Sequence, residues 1–199
     1  MDNILNYETY LFVSKKKIII SVNSNDEQKV YYNEIDIDYE FEVENFQKLD
    51  FFLNQNIFKI EKKIQSFVEK IIIILDLDIF FSIGMSIKKD NLNKHLNIQN
   101  LKHLLNEAKE SCKQTLDQKK VIHMLINNYK VDNKNYSSFP DNIRCKNYSL
   151  DLELICISEN FIKRLEIILK KYHISLNRVL NANYIERFYT SNDRNVFSM

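Results

Sequence analysis

Asp76 and Asp78 stand two apart, directly after the apolar run Ile71-Ile72-Ile73-Ile74-Leu75. At the C-terminal end of a buried strand, two such carboxylates can hold Mg²⁺, one attacking a phosphoryl group and the other serving as acid and base. Ile79-Phe80 follows where a phosphate-holding turn would read Gly-Thr, and no later predicted strand ends in paired carboxylates. The pair is therefore read as polar residues that terminate a buried strand. His123 could act as a general base, but it falls mid-strand with no nucleophile fixed beside it, so a packed or half-exposed strand histidine is the preferred account. His95 and His103 are eight apart and do not form the i, i+4 pair of a helical zinc site. Lys15-Lys16-Lys17 could touch phosphate, yet a three-residue basic turn in a near-neutral chain is ordinarily solvated.

Composition narrows the classes further. The 199 residues carry 28 Lys and Arg against 27 Asp and Glu, a formal net charge of +1. That balance lacks the basic field of a dedicated nucleic-acid binder or of a protein held electrostatically on anionic lipid. The 45% hydrophobic content provides a core for one domain or two small subdomains. Glycine occurs once, at position 84, so a glycine-rich phosphate loop has no raw material. Cys112, Cys145 and Cys156 are odd in number and have no CxxC spacing, which reads as reduced cytosolic thiols and not as a disulfide framework or zinc site. The densest apolar run, 71–81, is broken by Asp76 and Asp78 and is far shorter than the roughly 20 residues of a spanning helix. Neither a signal peptide nor a direct membrane insertion is expected.

The elements that must position these residues follow from hydrophobic periodicity. Residues 9–13 and 17–22 alternate as a strand pair around a turn at 14–16, and 28–33 reads as a third strand. Residues 36–44 are acidic and read as a connection. Asn45 can cap a long helix whose face would hold Phe46, Leu49, Leu53, Ile57, Ile60, Ile64 and Phe67, with an interruption at Asn54 to Asn56. The β-branched run 71–75 is expected to be a strand buried on both faces. Beyond it come a short strand at 82–88, a polar loop at 90–97, and a helix at 98–113 with Ile98, Leu101, Leu104, Leu105, Ala108 and Cys112 in its stripe. Strands at 121–130 and 148–157 flank a polar turn at 132–135, with Leu150, Leu152, Leu154 and Cys156 sharing a face. Ser158 can cap a helix burying Phe161, Ile162, Leu165, Ile168 and Tyr172. A strand at 174–180 and a helix at 182–189 complete the regular part, and 190–199 has no clear pattern. Residues 84–172 are thus expected to form a three-stranded antiparallel sheet with both helices, 98–113 and 158–172, on one face.

Within the second part stand His123, Tyr129, Val131, Asp132 and Pro140 in order, Ala108 in the preceding helix, and Leu150 opening the last strand. This constellation resembles the subdomain inserted into the actin-like bacterial cell-division family FtsA, in which a strand reading roughly His-x-x-Pro-x-x-Tyr-x-Val-Asp leads into a proline-containing loop and a strand opening on Leu. The resemblance implies an α+β fold: a partial actin-like (ribonuclease-H-like) subdomain formed by 1–82 and 174–199, and an inserted strand-helix-strand-strand subdomain over 83–173. The order of elements matches over about 9–189, and the residue-level match is confined to 121–150. The family's hairpin carries a phosphate-binding Asp-x-Gly-Thr turn. Here it reads Phe12-Val13-Ser14-Lys15, without the Asp and the Gly, and Ile126 and Asn127 depart from the family's Pro and Gln. The chain ends before the second actin-like half that completes the nucleotide site in the family. The resemblance therefore implies a chain without ATP binding, cofactor or metal.

What remains is contact. The resemblance to FtsA implies a cytoplasmic chain, recruited to the inner face of the membrane at the septum, that meets FtsZ or septal membrane proteins, with self-association left open. In this reading His123, Tyr129, Asp132, Pro140 and Leu150 are structural: Asp132 bonds backbone N–H groups of the following turn, and Tyr129 packs at the strand end. The loops 88–97 and 136–144 are the expected contact surfaces, with Lys88, Lys89 and Lys94 as the residues to test. The related pilus-assembly family PilM shares the inserted subdomain and is the alternative, with a short peptide from a membrane partner as its ligand. A phosphatase using Asp76 and Asp78 is the second alternative.

Overall fold

A computed structural model describes residues 7–37, 46–191 and 196–198; the expected Asn45 cap and most of the acidic connection at 36–44 lie outside them. The chain divides into two compact units, Met1–Ile79 with Asn160–Arg187, and Phe80–Glu159 with Phe188–Met199.

The first unit is built on a five-stranded sheet in the order β3-β2-β1-β4-β9. Strands β1 (Tyr7–Ser14), β2 (Lys17–Ser24) and β3 (Lys29–Asp36) form an antiparallel meander. β4 (Lys70–Asp76) lies parallel to β1, and β9 (Ser175–Asn181) parallel to β4. Alternation along the strands builds the core. Leu11 pairs with Ile20 and with Ile73, and Val13 with Ile18 and Leu75, so one buried row crosses the sheet. The run 71–75 is a strand between β1 and β9, as expected, but it is not buried on both faces: Ile71, Ile73 and Leu75 are buried and Ile72 and Ile74 only half-buried.

Helix α1 (Gln47–Ile64) buries Leu49, Phe52, Leu53, Asn56, Ile57, Ile60 and Ile64. Two expectations fail here. The helix runs unbroken through Asn54 to Asn56, and it ends before Phe67, which is 81% exposed. Asn56 is fully buried because its amide is satisfied. Its Oδ1 accepts from Tyr31 Oη and Asn33 Nδ2, both at 2.7 Å, and its Nδ2 donates to Phe52 O at 2.7 Å. This network ties α1 to β3. Asn56→Leu keeps the volume but leaves Tyr31 and Asn33 without their shared acceptor. Urea denaturation should show a loss of about 2 kcal/mol.

Helix α3 (Glu159–Lys170) buries Phe161, Ile162, Leu165 and Ile168 as expected and Leu169 besides, whereas Tyr172, expected in the same stripe, falls beyond the helix and is half-buried; almost all of α3 belongs to the first unit. Its packing on the face of the 84–172 sheet is thereby corrected. The Phe161 ring meets Phe46 at 5.3 Å between centroids. Beyond the helix, Tyr172 Oη donates to Asp50 O and Oδ1, both at 2.8 Å, and Lys171 Nζ bridges Asp50 Oδ2 at 2.6 Å. The Lys171 ammonium, followed by the Tyr172 hydroxyl, holds the Asp50 carboxyl below its usual range. Asn181 caps helix α4 (Ala182–Ser191) by accepting from Asn183 N at 2.9 Å.

The second unit is an antiparallel sheet in the order β10-β6-β8-β5, made of β5 (Phe81–His95), β6 (Lys119–Val131), β8 (Arg144–Ser158) and β10 (Val196–Ser198), with β7 (Lys134–Tyr136) paired to the end of β6. The sheet therefore holds more than three strands. Two of its members fall where none was expected, in the turn after Val131 and in the patternless tail. Helix α2 (Ile98–Thr115) starts with a capping box. Asn97 Oδ1 accepts from Gln99 N and Asn100 N, and Asn100 Oδ1 accepts from Asn97 N at 2.9 Å. Leu101, Leu104, Ala108 and Cys112 then bury against Met124, Tyr129, Leu150, Leu152, Leu154 and Cys156, while Ile98 stays exposed.

The expected loop at 90–97 is mostly strand. β5 continues to His95 through an excursion at Leu92 and Asn93, both at positive φ, and rejoins β8 with Lys94 opposite Cys145. Asn91 closes the excursion by donating from Nδ2 to Lys94 O at 2.7 Å.

Candidate functional site

The β1–β2 turn is the place where a phosphate cradle would lie in the resemblance drawn above. Strand alternation fixes Val13 and Ile18 inward, which puts Ser14 at the mouth of the turn. Its Oγ accepts from Lys17 N at 3.0 Å and Lys16 N at 3.4 Å and donates to Lys17 O at 3.2 Å. The backbone donors that an anion would need are thus turned to Ser14. Lys15 Nζ bridges Asp78 Oδ2 at 2.7 Å, both side chains well exposed. Asp76 ends β4 opposite Ser14 and is exposed. Among the described residues no cluster of three or more His, Cys, Asp or Glu side chains could hold a metal ion, so Asp76 and Asp78 are not joined by a third ligand there.

In the second unit the motif residues separate into two groups. Tyr129, Pro140 and Leu150 gather on the α2 side. Tyr129 pairs with Leu150 across β6 and β8, its ring meets Phe139 edge-on at 5.9 Å, and all three line a cavity of about 10 Å³, room for one water at most. Asp132, at φ 44, begins the β6–β7 turn with Asn133 at φ 67, the pair of positive φ values that a two-residue hairpin turn requires. Its carboxylate accepts from Asn147 N at 3.0 Å and from Lys146 N at 3.0 and 3.1 Å. Those backbone donors, Asn147 first, hold the Asp132 carboxyl below its usual range. The expected role of Asp132 is thus corrected in its partner: it clamps the start of β8 and not the turn that follows it.

His123 lies apart from these. It pairs with Ile155, outside the cluster that α2 covers, and is 2% exposed. Burial lowers its pKa to about 4, so the imidazole is neutral at physiological pH. The three cysteines are all buried. Burial pushes Cys156 up to about 11 and raises Cys112 and Cys145, the opposite of what a nucleophilic thiol needs.

Nor do the three candidate contact lysines form one patch. Lys88 and Lys89 are adjacent in β5 and point to opposite sides of the sheet. Lys89 pairs with Glu107 of α2, and Lys94 lies beyond the strand excursion. The two expected contact loops do meet, since Asn142 N donates to Leu96 O and Leu96 N to Ile143 O, both at 2.8 Å. His95 Nδ1 adds a donor to Asn142 O at 3.1 Å. Sequence reasoning could not see this pairing, because nothing in either loop's composition names the other.

Comparison with solved structures gives a chain of the PilM–PilN type IV pilus biogenesis complex at a TM-score of 0.56 and 7% identity, covering 91% of this chain and 49% of that one. The fold is actin-like in part. The chain spans about half the length of that solved relative. A Bacteroides thetaiotaomicron protein described as having an actin-like ATPase fold and unknown function matches at a TM-score of 0.39 and 14% identity, over 94% of this chain and 56% of that one. No protein-family model matches the sequence, and no curated protein matches it. The likeness of fold to the chain from the PilM–PilN complex supports the actin-like layout expected from the sequence in part, while FtsA in particular is not supported. Among the described residues no helix is long and apolar enough to cross a membrane.

Proposed function

We propose that this chain acts by contact with other proteins and not by catalysis, as a PilM-like component of a type IV pilus assembly. The observation that carries the first half of this reading is the β1–β2 turn. An actin-like fold holds phosphate with backbone N–H groups of such turns, and here Ser14 Oγ accepts from both Lys16 and Lys17. The second half rests on the similarity of fold to a chain from a PilM–PilN complex. A septal role with FtsZ or septal membrane proteins is the other reading, and the motif residues Tyr129, Asp132, Pro140 and Leu150 favour it.

Two measurements on the full chain test this. Calorimetric titration with Mg-ATP should show no heat of binding; a micromolar dissociation constant would overturn the non-catalytic reading. Crosslinking in cells of the source organism should recover pilus biogenesis proteins. Recovery of division-ring proteins instead would replace the pilus assignment with the septal one.

A further inference from the structure

β5 ends its sheet. Among the described residues β8 is the one strand paired with it, so its other edge presents backbone N–H and C=O groups to solvent. Folded proteins ordinarily guard such an edge with charge, proline or a bulge. Residues 81–87 have none of these. The first charge is Lys88, and the irregularity in the strand lies between Asp90 and Lys94.

The unguarded run reads Phe-Ser-Ile-Gly-Met-Ser-Ile, and it is chemically palindromic about Gly84. Turned antiparallel on a second copy of itself, it sets Gly84 opposite Gly84, Ile83 opposite Met85, Ser82 opposite Ser86 and Phe81 opposite Ile87. The alternation of the strand sorts these pairs by face. Phe81, Ile83, Met85 and Ile87 are half-buried on the α2 side, and Ser82, Gly84 and Ser86 are exposed on the other. Every apolar residue would meet an apolar one and every small residue a small one, with Lys88 just beyond the paired run.

Gly84 adds an independent argument. It is the chain's single glycine, and it stands mid-strand, where glycine weakens a sheet. Its own fold does not ask for it: φ is not positive, and a Cβ built there meets nothing within 4 Å. Glycine in a strand otherwise marks a close approach of another backbone.

We propose that the free edge of β5 is a homodimer interface, in which two copies pair antiparallel about a two-fold axis through Gly84 and join their sheets into one. Such an interface is self-complementary, as a two-fold contact must be. It goes beyond the assignment to pilus assembly and stands without it.

Sedimentation of the full chain over a range of concentrations tests the proposal, with dimer expected to accumulate as concentration rises. Gly84→Lys should abolish the dimer while leaving the circular dichroism and melting temperature of the chain unchanged, since the site is open within one copy. Gly84→Cys should form an interchain disulfide under mild oxidation many times faster than the exposed control Ser66→Cys, against a background of buried native thiols. This second variant decides the matter if the lysine disturbs folding. A monomer at every concentration would overturn the proposal and leave the edge to an extended segment of another protein. So would a dimer that survives Gly84→Lys, or crosslinking no faster than the control.

Discussion

Phe52→Ala should destabilise the first unit by about 4 kcal/mol, read by urea denaturation, with hydrogen-exchange protection lost first in β2 and β3, the strands that α1 packs against. Phe52 is among the largest fully buried side chains of the protein, and it lies on the face of α1 that also buries Leu49, Leu53, Ile57 and Ile60. Truncation removes the transfer free energy of the ring and leaves a cavity that a helix held on both sides by Leu49 and Asn56 can close only in part. Six residues on, Phe58 has the same side chain and the same helix, but it is 74% exposed. Phe58→Ala should change stability by less than about 0.5 kcal/mol. Equal losses at the two positions would mean that α1 does not present the face described here.

The contrast between Phe52 and Phe58 also marks how far the sequence alone reaches. Periodicity finds the buried stripe of α1 and of α2, because each needs only the 3.6-residue repeat of its own segment. β4 is found by composition and not by period: the run 71–75 is short, continuous and mostly β-branched, which favours a strand over a helix segment. What periodicity cannot supply is the identity of the opposing surface. Most of the stripe of α3 is legible, yet the helix falls in the first unit, where Phe161 packs on Phe46, more than a hundred residues upstream. Asn54 to Asn56 read as a break because an unpaired amide is costly in a helix core, and the partners that remove that cost, Tyr31 and Asn33, belong to β3. Residues 90–97 read as a loop because every polar residue there is compatible with one. Pairing with β8 made it strand. The candidate site was legible to the same degree. Tyr129, Pro140 and Leu150 do come together, Asp132 does bond backbone, and the missing Asp and Gly of the β1–β2 turn are visible in the letters. That Ser14 closes this turn on itself, and that Asp132 reaches Lys146 and Asn147, are facts of three-dimensional neighbourhood.

Acidification should weaken the second unit well above the pH at which carboxylates titrate, and His123 is the cause. Its imidazole is buried on β6 and its pKa lies at about 4, against an ordinary value of 6.5, with desolvation of the charged form as the physical origin. The unfolded chain therefore binds a proton at His123 before the folded one does. The stability that the neutral histidine contributes is fully present above pH 6.5. It falls progressively as the pH drops from 6.5 to 4 and levels off below, where both states are protonated. The whole span corresponds to about 3 kcal/mol. Asp132 and Asp151, like Asp50, are held below their usual range by hydrogen bonds and lose their contributions in the same direction but mainly below about pH 5, so the histidine accounts for most of the change from 6.5 to 4.5. Urea denaturation followed at pH 7 and at pH 4.5 should show this loss in the native chain. His123→Leu, which cannot titrate, should flatten the curve over that interval whatever its effect at pH 7. A native curve already flat between pH 6.5 and 4.5, or a variant with the same slope, would place the proton uptake elsewhere and remove His123 from the account.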